Sequence, residues 1–78
     1  MGVSAYVLIR TEVGRAAPVA DDVAKLDGVQ SAKSVTGPYD VIVRAEADSV
    51  DELGRLVVSR IQLVEGITRT LTCPVIRL

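Results

Sequence analysis

The sequence predicts an α+β domain of the ferredoxin-like βαββαβ type, a four-stranded antiparallel sheet with two helices on one face. Three observations predict it. Apolar periodicity runs strand-helix-strand, twice over. Leu26-Asp27-Gly28-Val29 is echoed by Val64-Glu65-Gly66-Ile67, with Gly66 38 residues beyond Gly28, about half of the 78-residue chain. Between the halves lies a hairpin signal, Val35-Thr36-Gly37-Pro38-Tyr39-Asp40-Val41-Ile42-Val43. In it Gly37 can take φ > 0, and Pro38 is fixed near the φ that a turn's second residue needs.

Val3 to Thr11 reads as the first strand. Ala5, Val7 and Ile9 point one way and Tyr6, Leu8 and Arg10 the other, so both faces are largely apolar and both call for cover. A helix then runs to about Leu26. Ala16, Val19, Ala20, Val23 and Leu26 share a face, Pro18 sits in the first turn, and Asp21, Asp22 and Lys25 are placed to suit the dipole. Gly28 is the stop. Val29 to Thr36 is a second, polar strand, expected at the periphery, and Tyr39 to Ala47 is a third. Val41, Val43, Ala45 and Ala47 make one of its faces; Ile42, Arg44 and Glu46 make the other. Ser49-Val50-Asp51-Glu52 is a capping box. Val50, Leu53, Val57 and Ile61 are the expected buried face of the second helix, with Leu56 and Val64 flanking. Gly54 is expected to let that helix approach the sheet, and Gly66 to end it. Ile67 to Ile76 is the last strand. Ile67, Arg69, Leu71 and Cys73 are set against Thr68, Thr70 and Thr72, and Pro74 marks an edge.

Composition narrows the function classes. So short a domain buries only about 60% of its unfolded surface, yet 49% of this chain is hydrophobic. A second buried surface, supplied by another subunit, follows. With both helices on one face, the other would expose Leu8 and Ile42. It is expected to meet a second copy, as in the dimeric α+β barrels. Nine basic and ten acidic residues are interspersed for a net charge of −1, which is no basic stripe for nucleic acid. Histidine is absent and Cys73 is the one cysteine. No metal site, no cofactor and no disulfide within the chain are therefore expected, and the commonest general base is missing. Neither a signal peptide nor an apolar run of about 20 residues is present, so the reading is cytoplasmic and not membrane-bound.

The residues resemble a known family, the ligand-binding (RAM) domain of the leucine-responsive/asparagine-regulator (Lrp/AsnC) transcription regulators. The resemblance spans essentially all 78 residues. It rests on Leu26-Asp27-Gly28-Val29, on Val35-Thr36-Gly37-Pro38-Tyr39-Asp40, on Glu65-Gly66-Ile67, and on the alternating Thr68, Thr70 and Thr72. It implies a βαββαβ fold, dimers built through the sheets, and rings of dimers. It also implies an amino-acid effector bound where neighbouring dimers meet. The residues that it places near such a site are Thr36, Gly37, Tyr39 and Asp40, with Thr70 and Thr72. Family regulators carry an amino-terminal helix-turn-helix domain. The 78 residues leave no room for one, so the expectation is a single effector-binding domain over residues 1–78.

Each candidate residue has a plainer alternative. Asp40 can receive an ammonium group, or bond backbone as turn aspartates do. Tyr39 can wall a pocket or cap an interface. The threonines can line up hydroxyls for a carboxylate, or simply be β-branched strand residues. Cys73 reads as an inert thiol, since no histidine can activate it. Arg10 and Arg44 can pair with Glu46 or a neighbour's acids, or recognise a carboxylate. The expected function is a non-catalytic module that binds a small amino acid and oligomerises, modulating transcription through partner regulators. The alternative is a ligand-independent domain that co-assembles with full-length Lrp/AsnC regulators. A small cofactor-free enzyme stands behind both.

Overall fold

Strict alternation along the first strand decides the layering. In the computed structural model, which describes residues 2–76, β1 (Val3–Thr11) buries Ala5, Val7 and Ile9 completely and leaves Tyr6 and Arg10 exposed. β3 (Val41–Ala47) does the same with Val41, Val43 and Ala45. β2 (Val29–Ser34) and β4 (Ile67–Pro74) complete an antiparallel sheet of order β2-β3-β1-β4. The two most apolar strands are central, and the polar β2 is at an edge, as expected. Pro74, which cannot donate to a ladder, ends the other edge strand.

The helices α1 (Ala16–Ala24) and α2 (Val50–Ser59) lie over the face that carries the odd residues of β1. Val19, Ala20 and Val23 of α1 join Leu53, Leu56 and Val57 of α2 in one core with the strand residues. Ser49 caps α2, its hydroxyl accepting the Glu52 N–H at 3.1 Å.

Several local expectations are corrected. α1 ends at Ala24, so Asp21 and Asp22 fall in its last turn rather than early in it. α2 rotates so that Leu56 enters the core while Val50 stays 69% exposed. Gly54 faces open space; a Cβ there would meet nothing within 4 Å. It therefore brings no close approach to the sheet. Nor does Gly66 end α2. The helix stops at Ser59, and a 3-10 turn, Ile61–Leu63, follows it and buries Ile61. β2 stops at Ser34 and β3 begins at Val41, so the connection is a six-residue loop rather than a tight turn. The last strand is broken by a register shift opposite Arg10 and Thr11. That bulge turns Ile67 toward the core, away from the face of Arg69, Leu71 and Cys73.

The half-repeat has a physical meaning. Gly28 has φ +93°, and its carbonyl accepts the Glu46 N–H at 2.8 Å. A Cβ at Gly28 would stand 3.0 Å from the Glu46 carbonyl oxygen and 3.1 Å from Leu56 Cδ2. Only glycine satisfies both the dihedral angle and the space.

Candidate functional site

The loop of residues 35–40 closes through its ends, the Val35 N–H donating to the Asp40 carbonyl at 2.9 Å. Gly37 at its tip has φ +126°. Thr36, Gly37 and Pro38 are exposed, and Tyr39 and Asp40 are half-buried. Asp40 is the anchor. Its N–H donates to the Ile9 carbonyl at 2.8 Å, and its Oδ2 accepts the Thr11 N–H at 2.8 Å. The β1–β3 ladder ends at Ile9 opposite Val41. Asp40 adds one more main-chain bond and one side-chain bond beyond that point. The carboxylate thus bonds backbone, but that of β1, 29 residues away, rather than its own turn.

The same end of β1 is held from its other side. The Thr68 hydroxyl donates to the Arg10 carbonyl at 3.2 Å, and the Glu12 N–H donates to the Gly66 carbonyl at 2.8 Å. These bonds satisfy the backbone groups that the bulge takes out of the regular ladder.

Thr70 and Thr72 stand opposite Ile9 and Val7, so they belong to the helix-covered side, at the outer edge of the sheet. Thr70 Oγ1 accepts from Gln62 Nε2 at 2.9 Å. β1 lies between these threonines and the loop, so the two groups are separated by two strand spacings, about 10 Å. A concavity of about 310 Å³ takes in Thr70 with Gln62, Ile67, Thr68 and Arg69, and none of the loop residues. Among the six expected ligand residues, one chain thus gathers Thr36, Gly37, Tyr39 and Asp40 in one loop and holds Thr70 and Thr72 apart from it. Gln62 was not legible in the sequence, because it reaches Thr70 from a 3-10 turn that replaces the expected helix end.

A larger concavity, about 680 Å³, lies at the opposite end of β3. Asp27 and Gly28, Asp48, and Glu52, Arg55 and Arg60 line it. It shares no residue with the expected site.

Among the described residues no helix lies on the sheet's other face. Leu8 and Ile42 are register partners on it and are half-buried, while Tyr6 is 43% and Leu71 46% exposed. Arg44 Nη2 lies 3.5 Å from Glu46 Oε2 there, both side chains about half exposed. Such a pair contributes little. Cys73 is an exposed free thiol on this face, opposite Tyr6. Among the described residues no three His, Cys, Asp or Glu side chains form a metal-binding group, and no helix is long and apolar enough to cross a membrane.

Comparison with known proteins extends this picture. Residues 4–78 match the family described as the Lrp/AsnC ligand binding domain. An uncharacterised HTH-type transcriptional regulator of Pyrococcus furiosus is 29% identical over 75 residues, covering 92% of this chain and 50% of its own. The chain spans about half the length of the curated relatives it matches. Among solved structures, TTHA0845 from Thermus thermophilus superposes with a TM-score of 0.91 at 36% identity, over 97% of this chain and 95% of that one. A Neisseria meningitidis transcriptional regulator in complex with L-Met superposes with a TM-score of 0.84 at 18% identity. That match covers 96% of this chain and 50% of the regulator, and its likeness is one of fold. The glycine-bearing turns, the ladder-capping Asp40 and the uncovered sheet face thus sit within a family match that runs from residue 4 to the last residue, and the chain belongs to the Lrp/AsnC ligand-binding domain family.

Proposed function

We propose that this domain is a non-catalytic, cytoplasmic module that binds a small amino acid at the junction between copies of itself, and that the bound ligand biases one assembly over another. The observation that carries the reading is the uncovered sheet face. Tyr6, Leu8, Ile42 and Leu71 form an apolar centre there that no element among the described residues covers. A domain of 78 residues that, among those described, already buries thirteen core residues on one face gains most from covering the other with a second copy. Thr36, Gly37, Tyr39 and Asp40 on one chain would complete a ligand site only with Thr70 and Thr72 of another, since β1 separates the two groups within a chain. An amino acid as ligand is supported by the family and by the L-Met complex of the Neisseria regulator, which shares the fold. Transcription would be reached through partner regulators of the same family.

The ligand can shift assembly only by its difference in affinity between states. Light-scattering mass and melting temperature, with and without each of the twenty amino acids, test this. A multimer whose mass or melting point responds to one of them is the expected result. A multimer indifferent to all twenty, yet recovered with helix-turn-helix regulators from its native cell, would replace the reading with a ligand-independent co-assembly domain.

A further inference from the structure

Register places two arginines side by side at the end of the open sheet face. Arg10 on β1 and Arg69 on β4 are direct cross-strand partners, and both are exposed. Side chains so placed have Cβ atoms about 5 Å apart, and like charges at that spacing repel. Neither arginine forms an ion pair among the described residues. The one ion pair among the described residues joins Arg44 to Glu46, two positions along β3. Asp40, the one carboxylate whose backbone bonds flank Arg10, accepts the Thr11 N–H through Oδ2 and makes no ion pair with either arginine. The backbone under the pair is nevertheless firmly held. Asp40 bonds the residues on both sides of Arg10, Ile9 and Thr11, and the Thr68 hydroxyl holds the Arg10 carbonyl. The Thr70 hydroxyl, by contrast, already accepts a bond from Gln62 and lies on the other side of the sheet.

We infer that the Arg10–Arg69 pair is an anion receptor, taking the carboxylate of a small organic acid between its two guanidinium groups. Guanidinium presents a planar fork that matches a carboxylate with two parallel hydrogen bonds. Two such forks across a ladder clamp the anion, and the anion cancels the repulsion between them. In the effector reading, on which this assignment builds, the anion is the α-carboxylate of the amino acid, and Asp40 lies beside it for the ammonium group. The threonines are then walls rather than carboxylate receptors.

Nuclear magnetic resonance of the isotope-labelled protein tests the assignment with defined probes at matched ionic strength. These are sodium succinate, glycinamide (an amine without a carboxylate), sodium chloride, and any amino acid found to bind. Succinate should shift the Arg10 and Arg69 Nε–H signals saturably, and glycinamide and chloride should not. R10Q and R69Q should each weaken succinate binding by about tenfold, the loss of one charge-assisted contact. R69K should recover part of it. Equal shifts with chloride would mean screening only and would overturn the assignment, as would unchanged affinity in both variants. Both residues are exposed, so the variants should fold. Ligand-free R69Q should melt at or above wild type, because a like-charge pair is removed; a lower melting point would make Arg69 a structural residue and also count against the site. The two readings fail separately. Succinate binding with no amino-acid response would retain the receptor and remove the amino-acid effector. An amino acid that binds R10Q and R69Q as well as wild type would do the reverse.

Discussion

Asp40 Oδ2 accepts the backbone N–H of Thr11 at 2.8 Å, across 29 residues of sequence. With its own N–H on the Ile9 carbonyl, also at 2.8 Å, Asp40 fastens the β2–β3 loop to the end of the central strand. The loop is therefore a rigid platform rather than a loose connection. Its exposed tip, Thr36 to Pro38, is carried on a point fixed to the core strand.

Asp40→Ala should leave the half-buried Thr11 N–H without an acceptor and cost about 1–3 kcal/mol. Asp40→Asn keeps an acceptor oxygen and should cost well under half as much. Denaturant unfolding reads both values. If Asp40 also receives the effector's ammonium group, Asp40→Asn should bind ligand far more weakly while remaining folded. A fold role alone would spare binding.

Gly28→Ala should be among the most damaging single-methyl additions in the chain. It forces a side chain onto φ +93° and into 3.0 Å contact with a backbone oxygen that cannot swing away. The conformational part alone is about 1–3 kcal/mol. Thermal unfolding should show a lowered midpoint, and an unchanged midpoint would mean that the turn between α1 and β2 can relax.

Gly54→Ala should do the opposite. The position is helical, exposed and open, so a methyl group meets nothing and the helix gains about 0.5–1 kcal/mol. A rise in melting temperature checks it.

Leu71→Glu should dissociate the assembly without unfolding the chain. Leu71 stands opposite Leu8 on the uncovered face and is already 46% exposed in the single chain, so the substitution places a charge on that face and not in the core. Sedimentation should show a smaller species with an unchanged circular dichroism spectrum. A mass identical to wild type would move the interface elsewhere on the surface.

Periodicity made most of the fold legible. The alternation in Val3 to Thr11 and in Val41 to Ala47 told which side chains enter the core, and the structure buries those same residues. Errors came where a local signal met competition. Val50 fits the helical stripe, but the cap at Ser49 and the entry of Leu56 rotate α2 away from it. Gly66 looks like a helix stop, yet the chain makes a 3-10 turn first because Ile61 is drawn fully into the core.

The candidate site was legible as a list of residues and not as an arrangement. The loop motif singled out Asp40, but not its bonds to the backbone of β1. Strand order then set the loop apart from Thr70 and Thr72 by placing β1 between them. Alternation put Arg10 on the open face, but not its neighbour.

The sequence by itself determined the class of fold, the strand half of the core, the glycines at the turns and the presence of an uncovered apolar face. These follow from patterns within a few residues of one another, where the period of a helix or strand dictates orientation. Only the tertiary structure decided the cap of Asp40 on Thr11, the bulge that turns Ile67 inward, and the pairing of Arg10 with Arg69. Those depend on the register between strands distant in sequence. A shift of one residue in register exchanges every partner, and here the bulge makes one such shift opposite Arg10 and Thr11.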